Sequence, residues 1–308
     1  MKAIIQNRYG DENTLQLVEV DALKVTKPNE ILVDVHLVNI TAGDKNINTL
    51  SQPPLVQLMI RLIFGWNKPK AKVRGICGSG VIKQIGSEVN DFKVGDHVNF
   101  INSMKAGALA EQILLNTKSI IAKVDSSLPL EVAASIPFGP MSAYHFINEK
   151  TIQPQDLVYI YGVSGAVGSA ALSLATHFGA NIFAVASKKH HEKIMEIANP
   201  TLIDYQTQNP FDLEERFDLI FDGVGKINKK QVKALLKPNG IFSSIKYPTK
   251  EDRNRLAHLN TLASESYLKI IIDQIYDFKQ YKQAHKHVYE GHKSGNVLIK
   301  VKNDYEVN

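Results

Sequence analysis

Leu157-Val158-Tyr159-Ile160-Tyr161-Gly162-Val163-Ser164-Gly165-Ala166-Val167-Gly168 is the stretch on which the fold turns. Its first five residues are the β-branched and aromatic run that a buried parallel strand needs. The glycine turn follows at once, and residues 169–178 then carry a helical apolar stripe. Gly179 closes that helix, and residues 181–186 supply a second strand. In such a βαβ unit Gly165 is expected to let the backbone turn tightly and approach a pyrophosphate, while Gly168 lets helix and strand pack together. The helix start offers free N–H groups and the positive end of its dipole to phosphates. A glycine turn alone is a weak signal, but strand before, helix after and strand behind are the context a dinucleotide site demands. The bland alternative is a glycine-rich turn with no nucleotide.

The residue after the second strand separates the two nicotinamide cofactors. An NAD site puts Asp or Glu there for the ribose 2′-OH, whereas an NADP site uses small and basic groups. Here Ser187 is followed by Lys188, Lys189, His190 and His191, with no carboxylate before Glu192. Lys188 and Lys189 would attract a 2′-phosphate and Ser187 could donate a hydrogen bond to it. A solvated lysine pair opening a helix is the alternative.

At 308 residues the chain suggests two domains, and 44% hydrophobic with 22% charged residues is ordinary for a folded protein with a sizeable core. The net charge of +5 is spread along the chain, so a solvated surface outweighs a nucleic-acid groove. Met1-Lys2-Ala3-Ile4-Ile5 runs into a strand without a signal-like segment, and Cys77 is the sole cysteine. No internal disulfide can form, and a cytoplasmic setting is expected. The longest apolar stretch, residues 55–66, holds Arg61 and is too short to span a bilayer. It reads as a greasy helix between Pro53-Pro54 and Gly65 that packs on the core or lines a substrate cleft, with membrane contact a distant third.

Residues 1 to about 122 are strand-rich, with β character at 2–6, 15–20, 30–39, 78–85, 97–101 and 110–115. Short strands with few helices between them suggest an antiparallel, barrel-like domain. From about Leu128 helices and strands alternate, with strands at 157–161, 181–186, 202–204, 217–221 and 241–245, the pattern of a doubly wound parallel sheet. The strand at 217–221 runs into Asp222-Gly223-Val224-Gly225, a second turn at the carboxyl edge where ligands of such sheets bind. Lys237-Pro238-Asn239-Gly240 is expected to stop the preceding helix. Further strands are expected at 268–272 and 296–301, the last rejoining the first domain.

These motifs give the chain a family likeness. Met1-Lys2-Ala3-Ile4, Thr41-Ala42-Gly43-Asp44, Val94-Gly95-Asp96-His97-Val98, Ala133-Ala134-Ser135-Ile136-Pro137, the glycine turn, Ile203-Asp204-Tyr205, the 217–225 segment and Gly291-His292-Lys293-Ser294-Gly295-Asn296-Val297 are the carriers. Together they resemble the medium-chain dehydrogenase/reductases of the zinc-independent, quinone-oxidoreductase-like branch. The resemblance implies an α/β fold, with a Rossmann-type doubly wound parallel sheet and an N-terminal barrel-like (GroES-like) β domain. Residues 1–122 would form the catalytic domain, 123–248 the NADP-binding domain, and 249–308 the return to the first. It implies NADPH-dependent reduction of quinones, enones or related small carbonyl compounds. The edge strand that completes the cofactor sheet in relatives, where two subunits pair, is not visible between Lys246 and Ser266. A homodimer therefore stays open.

No metal site is expected, because one cysteine cannot supply the thiolates of the zinc-dependent relatives. Thr41 stands where those relatives put a catalytic cysteine, and Cys77 reads as a small buried hydrophobe. His190-His191 and His285, His287 and His292 invite a metal reading, but adjacent histidines point different ways on a helix. Without metal, hydrogen-bond donors must polarise the carbonyl while the cofactor delivers hydride. The resemblance places Thr41 and Ser142 near the nicotinamide and Tyr144 one turn further on. Tyr144 could donate a proton, packing being its other role, and Asp44 would cap a helix or orient the loop. Ser187, Lys188 and Tyr205 match family cofactor positions, Lys189 stands beside them, and Ala166 and Val167 match the backbone that meets the pyrophosphate. The reading is an enzyme acting on a small-molecule substrate, without nucleic acid or membrane. Its alternative is a non-catalytic NADPH-binding sensor or interaction protein.

Overall fold

The computed structural model describes residues 1–291 and 293–302. They divide into two units: Met1–Pro137 with Gln274–Lys293 and the chain from Val297, and Phe138–Asp273 with Ser294–Asn296.

In the first unit β1 (Lys2–Gln6) and β2 (Leu15–Glu19) pair antiparallel. β3 (Glu30–Ile40) is the long strand against which the others assemble, and α1 (Ala42–Thr49) and α2 (Pro54–Phe64) follow it. β4 (Cys77–Ile85), β5 (His97–Ile101), β6 (Gln112–Asn116), β7 (Ile120–Lys123) and α3 (Leu130–Ser135) come next. β3 pairs with β4 through two register shifts, between Leu32 and Val33 and between Val35 and Leu37. Glycines on β4 permit this: a Cβ on Gly80 would lie 2.1 Å from the Asp34 carbonyl oxygen, and one on Gly78 would lie 2.3 Å from that of Leu37. The bent sheet closes over a core that includes Ile31, Val33, Val35, Val38, Phe100 and Ile121.

In the second unit α4 (Gly139–Phe146) precedes β8 (Leu157–Tyr161), α5 (Ala166–His177) and β9 (Asn181–Val185). α6 (His191–Met195), β10 (Thr201–Ile203), β11 (Phe217–Asp222), α7 (Lys229–Val232), β12 (Leu236–Ser244) and α8 (Arg253–Ser264) complete it. The sheet is parallel, with strand order β10-β9-β8-β11-β12. α5 is buried on nearly every side, and its small residues, Gly168, Ser169, Ala170, Ala171 and Ser173, let neighbours come close. One such approach is Gly139 of α4, where a Cβ would lie 2.8 Å from the Ala166 carbonyl oxygen.

β13 (Ile272–Asp277), α9 (Tyr281–Glu290) and β14 (Asn296–Lys300) end the described chain. β14 pairs antiparallel with β3, giving the order β13-β14-β3-β4-β5-β7 with β6 also on β3. The final strand thus rejoins the antiparallel sheet, as expected. The fold is the mixed α/β architecture anticipated, a Rossmann-type parallel sheet and a separate barrel-like antiparallel one.

Two local expectations need correction, and one strand, β7, was not expected. The strand expected at 268–272 begins only at Ile272: Leu268 and Ile271 are buried, and Lys269 N–H goes to the Ser173 hydroxyl instead of a ladder. The helical segment does end at Leu235, just before Lys237-Pro238-Asn239-Gly240, but β12 begins at Leu236 instead of 241, and these residues bulge within it, pairing with β11 at Leu236 and again from Ile241. Asn239 takes φ +70° in that bulge. Between β7 and the rest of its sheet the sequence signal was too short to register as a strand. Among the described residues, the stretch from Lys246 to Ser266 supplies α8 and no sixth parallel strand.

Candidate functional site

The carboxyl edge of the parallel sheet gathers the glycine turn, the end of β9 and the turn after β11. Gly162 follows β8 with φ +78°, and a Cβ there would meet Val224 Cγ2 at 2.2 Å. Gly165 has an ordinary φ of −77°. The tight turn is therefore made at Gly162, and the expectation that assigned it to Gly165 is corrected. Around Gly165 the space is open, the nearest atom to an added Cβ being the Gly162 carbonyl oxygen at 3.7 Å. Gly168 is closed: its Cβ would lie 2.2 Å from that same oxygen and 2.8 Å from Val163 Cα. Gly165 caps α5 without a side chain and bridges in parallel to Gly295, whose N–H donates to the Ser164 carbonyl oxygen at 2.7 Å.

Asp222 is fully buried at the end of β11. Its carboxylate accepts from the N–H groups of Val224 (3.0 Å), Gly225 (2.8 Å) and Ile227 (2.9 Å), and from the Ser244 hydroxyl (3.1 Å). Asp222 thus shapes the loop that sets Val224 against Gly162, and its oxygens are spent on its own loop.

At the end of β9, Ser187 is 1% exposed and its Oγ has no hydrogen-bond partner. A buried hydroxyl left unmatched costs free energy unless something fills the position. Lys188 and Lys189 follow in a short 3-10 turn and are exposed. His190 Nδ1 lies 2.5 Å from Ser294 Oγ, while His191 Nε2 lies 3.3 Å from the Ala186 carbonyl oxygen, so the two rings diverge. Tyr205 stands exposed after β10. His292 lies outside the described residues.

Ser142 and Tyr144 both sit on α4, half-buried. The Tyr144 phenol donates to Glu149 Oε2 at 2.7 Å, its ring faces the Arg255 guanidinium at 5.7 Å and the His258 ring at 5.4 Å. Burial, reinforced by Glu149, raises its pKa well above the usual phenol range.

In the first unit Thr41 caps α1. Its Oγ1 donates to Asp44 Oδ2 at 2.7 Å and accepts from Asp44 N–H at 3.1 Å, while Thr41 N–H donates to the same carboxylate at 2.9 Å. This is a reciprocal capping box, with Thr41 as the cap and Asp44 as its counterpart. Both residues are buried, and burial pushes the Asp44 carboxyl up. Cys77 is fully buried on β4. A cavity of about 370 Å3 in this unit is lined by Ile47, Ile63, Phe64, Arg74, Ile76 and Met104 among others. Arg74 Nε donates to Asn48 Oδ1 at 2.8 Å, and Asn48 Nδ2 donates to the Tyr289 hydroxyl at 3.0 Å.

No family model matches the chain. It is 23% identical to the human quinone oxidoreductase over 330 residues, covering 94% of each chain. It is 24% identical to the Arabidopsis thaliana NADPH-dependent alkenal/one oxidoreductase over 317 residues, which is 97% of this chain and 79% of that protein. The solved structure of the quinone oxidoreductase from Coxiella burnetii superposes with a TM-score of 0.85 at 25% identity, over 98% of this chain and 99% of the other. The chain is thus similar over nearly its whole length to quinone and alkenal/one oxidoreductases.

The glycine turn, Asp222, Val224 and Ser187 converge on one sheet edge, with Lys188 and Lys189 next in sequence. Thr41 belongs to the other unit and is held by its own helix. Sequence reasoning missed Arg74, Asn48 and Tyr289, which are far apart in sequence and make a buried polar group. An arginine inside the apolar run Val73-Arg74-Gly75-Ile76 was the one signal that could have found it.

Proposed function

We propose that this chain is an NADPH-dependent oxidoreductase that reduces a quinone, an enone or a related small carbonyl compound by hydride transfer. The observation that carries the reading is the end of β9, where the unmatched Ser187 hydroxyl is followed by two lysines and no carboxylate. A ribose 2′-phosphate satisfies that hydroxyl and neutralises the lysines; a bare 2′-OH could meet the hydroxyl but leaves the lysines without a counter-charge. Relatives named as NADPH-dependent alkenal/one oxidoreductase and quinone oxidoreductase support the same reading.

The residues fit the cofactor. Ser187, Lys188 and Lys189 would hold the extra phosphate, with Tyr205 beside the adenosine. The open face of Gly165 and the first-turn N–H groups of Ala166 and Val167 would hold the pyrophosphate, and Gly168 lets α5 sit close enough to present them. Asp222 keeps the Val224 loop in place, and Ser142 would stand near the nicotinamide end. When bound, the cofactor supplies hydride. The Thr41 hydroxyl gives its one proton to Asp44, so it would have to turn from that carboxylate to polarise a substrate oxygen, and the Tyr144 phenol keeps its proton through the neutral range, held toward Glu149. The cytoplasm is the proposed setting, and a homodimer is compatible with it; no described helix is long and apolar enough to cross a membrane.

The test is steady-state NADPH oxidation against a panel of quinones and enones. Turnover of at least one, carried by the wild type, is expected. NADPH binding with no turnover of any would remove the enzymatic half of the proposal and leave a cofactor-binding sensor.

A further inference from the structure

Helix α2 buries Ile60 but leaves most of its apolar residues exposed. Its half-buried side carries the polar residues Gln57 and Arg61: Gln57 Nε2 donates to the Gln52 carbonyl oxygen at 2.7 Å, and the Arg61 guanidinium lies 5.7 Å from the Tyr9 ring centroid. Its outer side is apolar. Leu55, Met59 and Leu62 recur at helical spacing and are 72%, 55% and 63% exposed, and Trp66, one turn beyond, is 55% exposed. Val56, Leu58 and Ile63 widen the exposed face. A contiguous apolar patch of this kind on a water-exposed surface marks a contact site.

Charge says what covers it. From Lys45 to Ser87 the sequence contains no aspartate or glutamate, and the segment leaving α2 carries Lys68, Lys70 and Lys72, all exposed. An apolar helix face ending in tryptophan, with lysines at its border and no acid in its own stretch of sequence, matches the boundary of an anionic bilayer. A second copy of this chain offers its own lysines and no acidic partner for these, whereas an anionic surface offers counter-charge to all of them. The same helix gives Ile63 and Phe64 to the wall of the 370 Å3 cavity. A docked α2 would therefore bring that cavity to the edge of the hydrocarbon, where apolar substrates concentrate.

We propose that α2 docks this protein on anionic membrane surfaces, its apolar face entering the headgroup boundary and Lys68, Lys70 and Lys72 meeting lipid phosphates. Docking does not rest on the proposed reaction. Trp66 is the chain's only tryptophan and so reports contact directly. The full chain is mixed with phosphatidylglycerol vesicles or with phosphatidylcholine vesicles, and Trp66 emission and co-sedimentation are measured. A blue shift and co-sedimentation with phosphatidylglycerol, weakened by salt and much weaker on phosphatidylcholine, are expected. Combining Leu55→Gln, Met59→Gln and Leu62→Gln should reduce binding more than tenfold. Lys68→Glu with Lys72→Glu, which leaves the helix untouched, should weaken it by at least about fivefold per position. Absence of any Trp66 shift on phosphatidylglycerol, or binding unchanged in both variants, would overturn the proposal. So would a concentration-dependent dimer, seen by sedimentation, that the glutamine variant abolishes, since a second copy would then cover the face.

Discussion

Gly165 and Gly168 stand three residues apart and lack side chains for opposite reasons. A methyl at Gly168 would press on the Gly162 carbonyl oxygen at 2.2 Å, an overpacking that costs about 1–3 kcal/mol or more. A methyl at Gly165 would meet nothing of the protein closer than 3.7 Å. Denaturant melts should therefore show Gly168→Ala strongly destabilised and Gly165→Ala near wild type, while calorimetry shows Gly165→Ala losing most NADPH affinity. His285 tests a different residue-scale effect. It is fully buried, its Nδ1 lies 2.7 Å from the Tyr281 carbonyl oxygen, and its Nε2 has no partner. Burial is the main cause that pulls its pKa down to about 4, against an ordinary 6.5, and the Arg74 charge adds to it. The folded protein thus binds the proton less well than the unfolded chain. This residue's contribution is fully present above about pH 6.5 and is lost as pH falls through about 4, by up to about 3 kcal/mol. Urea melts at intervals across that range should show the loss in the wild type and a flatter profile in His285→Leu.

The elements show where sequence reasoning holds and where tertiary contacts override it. β8, α5 and β9 were legible because strand, glycine turn and helix signals are local and agree with one another. Asp44 was legible as part of a helix start, but the cap itself is Thr41, with Asp44 at the third helical position. Removing the cap by Thr41→Ala should cost about 1–2 kcal/mol in denaturant melts, and Thr41→Ser should restore most of it. Two elements were not legible. The apolar run before Ile272 has strand composition, yet Leu268 and Ile271 are consumed by burial, and Lys269 N–H by Ser173. The proline and glycine in β12 do follow a helical end, but the strand starts ahead of them at Leu236, and a parallel ladder tolerates them as a bulge because the pairing resumes at Ile241. In the site, the tight-turn role fell on Gly162 because Val224, sixty-two residues later, closes over it.

At the scale of the whole molecule, the chain commits two units to two tasks, a parallel sheet whose carboxyl edge suits a dinucleotide and an antiparallel one that carries Thr41 and the cavity. Composition announced two domains, and the switch from strands alone to alternating helices and strands announced their kinds. The polar group of Arg74, Asn48 and Tyr289 could not be read, because it joins residues more than two hundred positions apart. The fold therefore rests on local signals, while the site's fine structure rests on distant ones. The central claim is that the end of β9 selects the phosphorylated cofactor through Ser187, Lys188 and Lys189. Calorimetric titration of the wild type with NADPH and with NADH tests it most directly. Charge-assisted hydrogen bonds of about 1.5–3 kcal/mol predict at least about tenfold tighter binding of NADPH, with the preference lost in Lys188→Ala combined with Lys189→Ala. Equal affinity for the two dinucleotides, or heat with neither, would contradict the account.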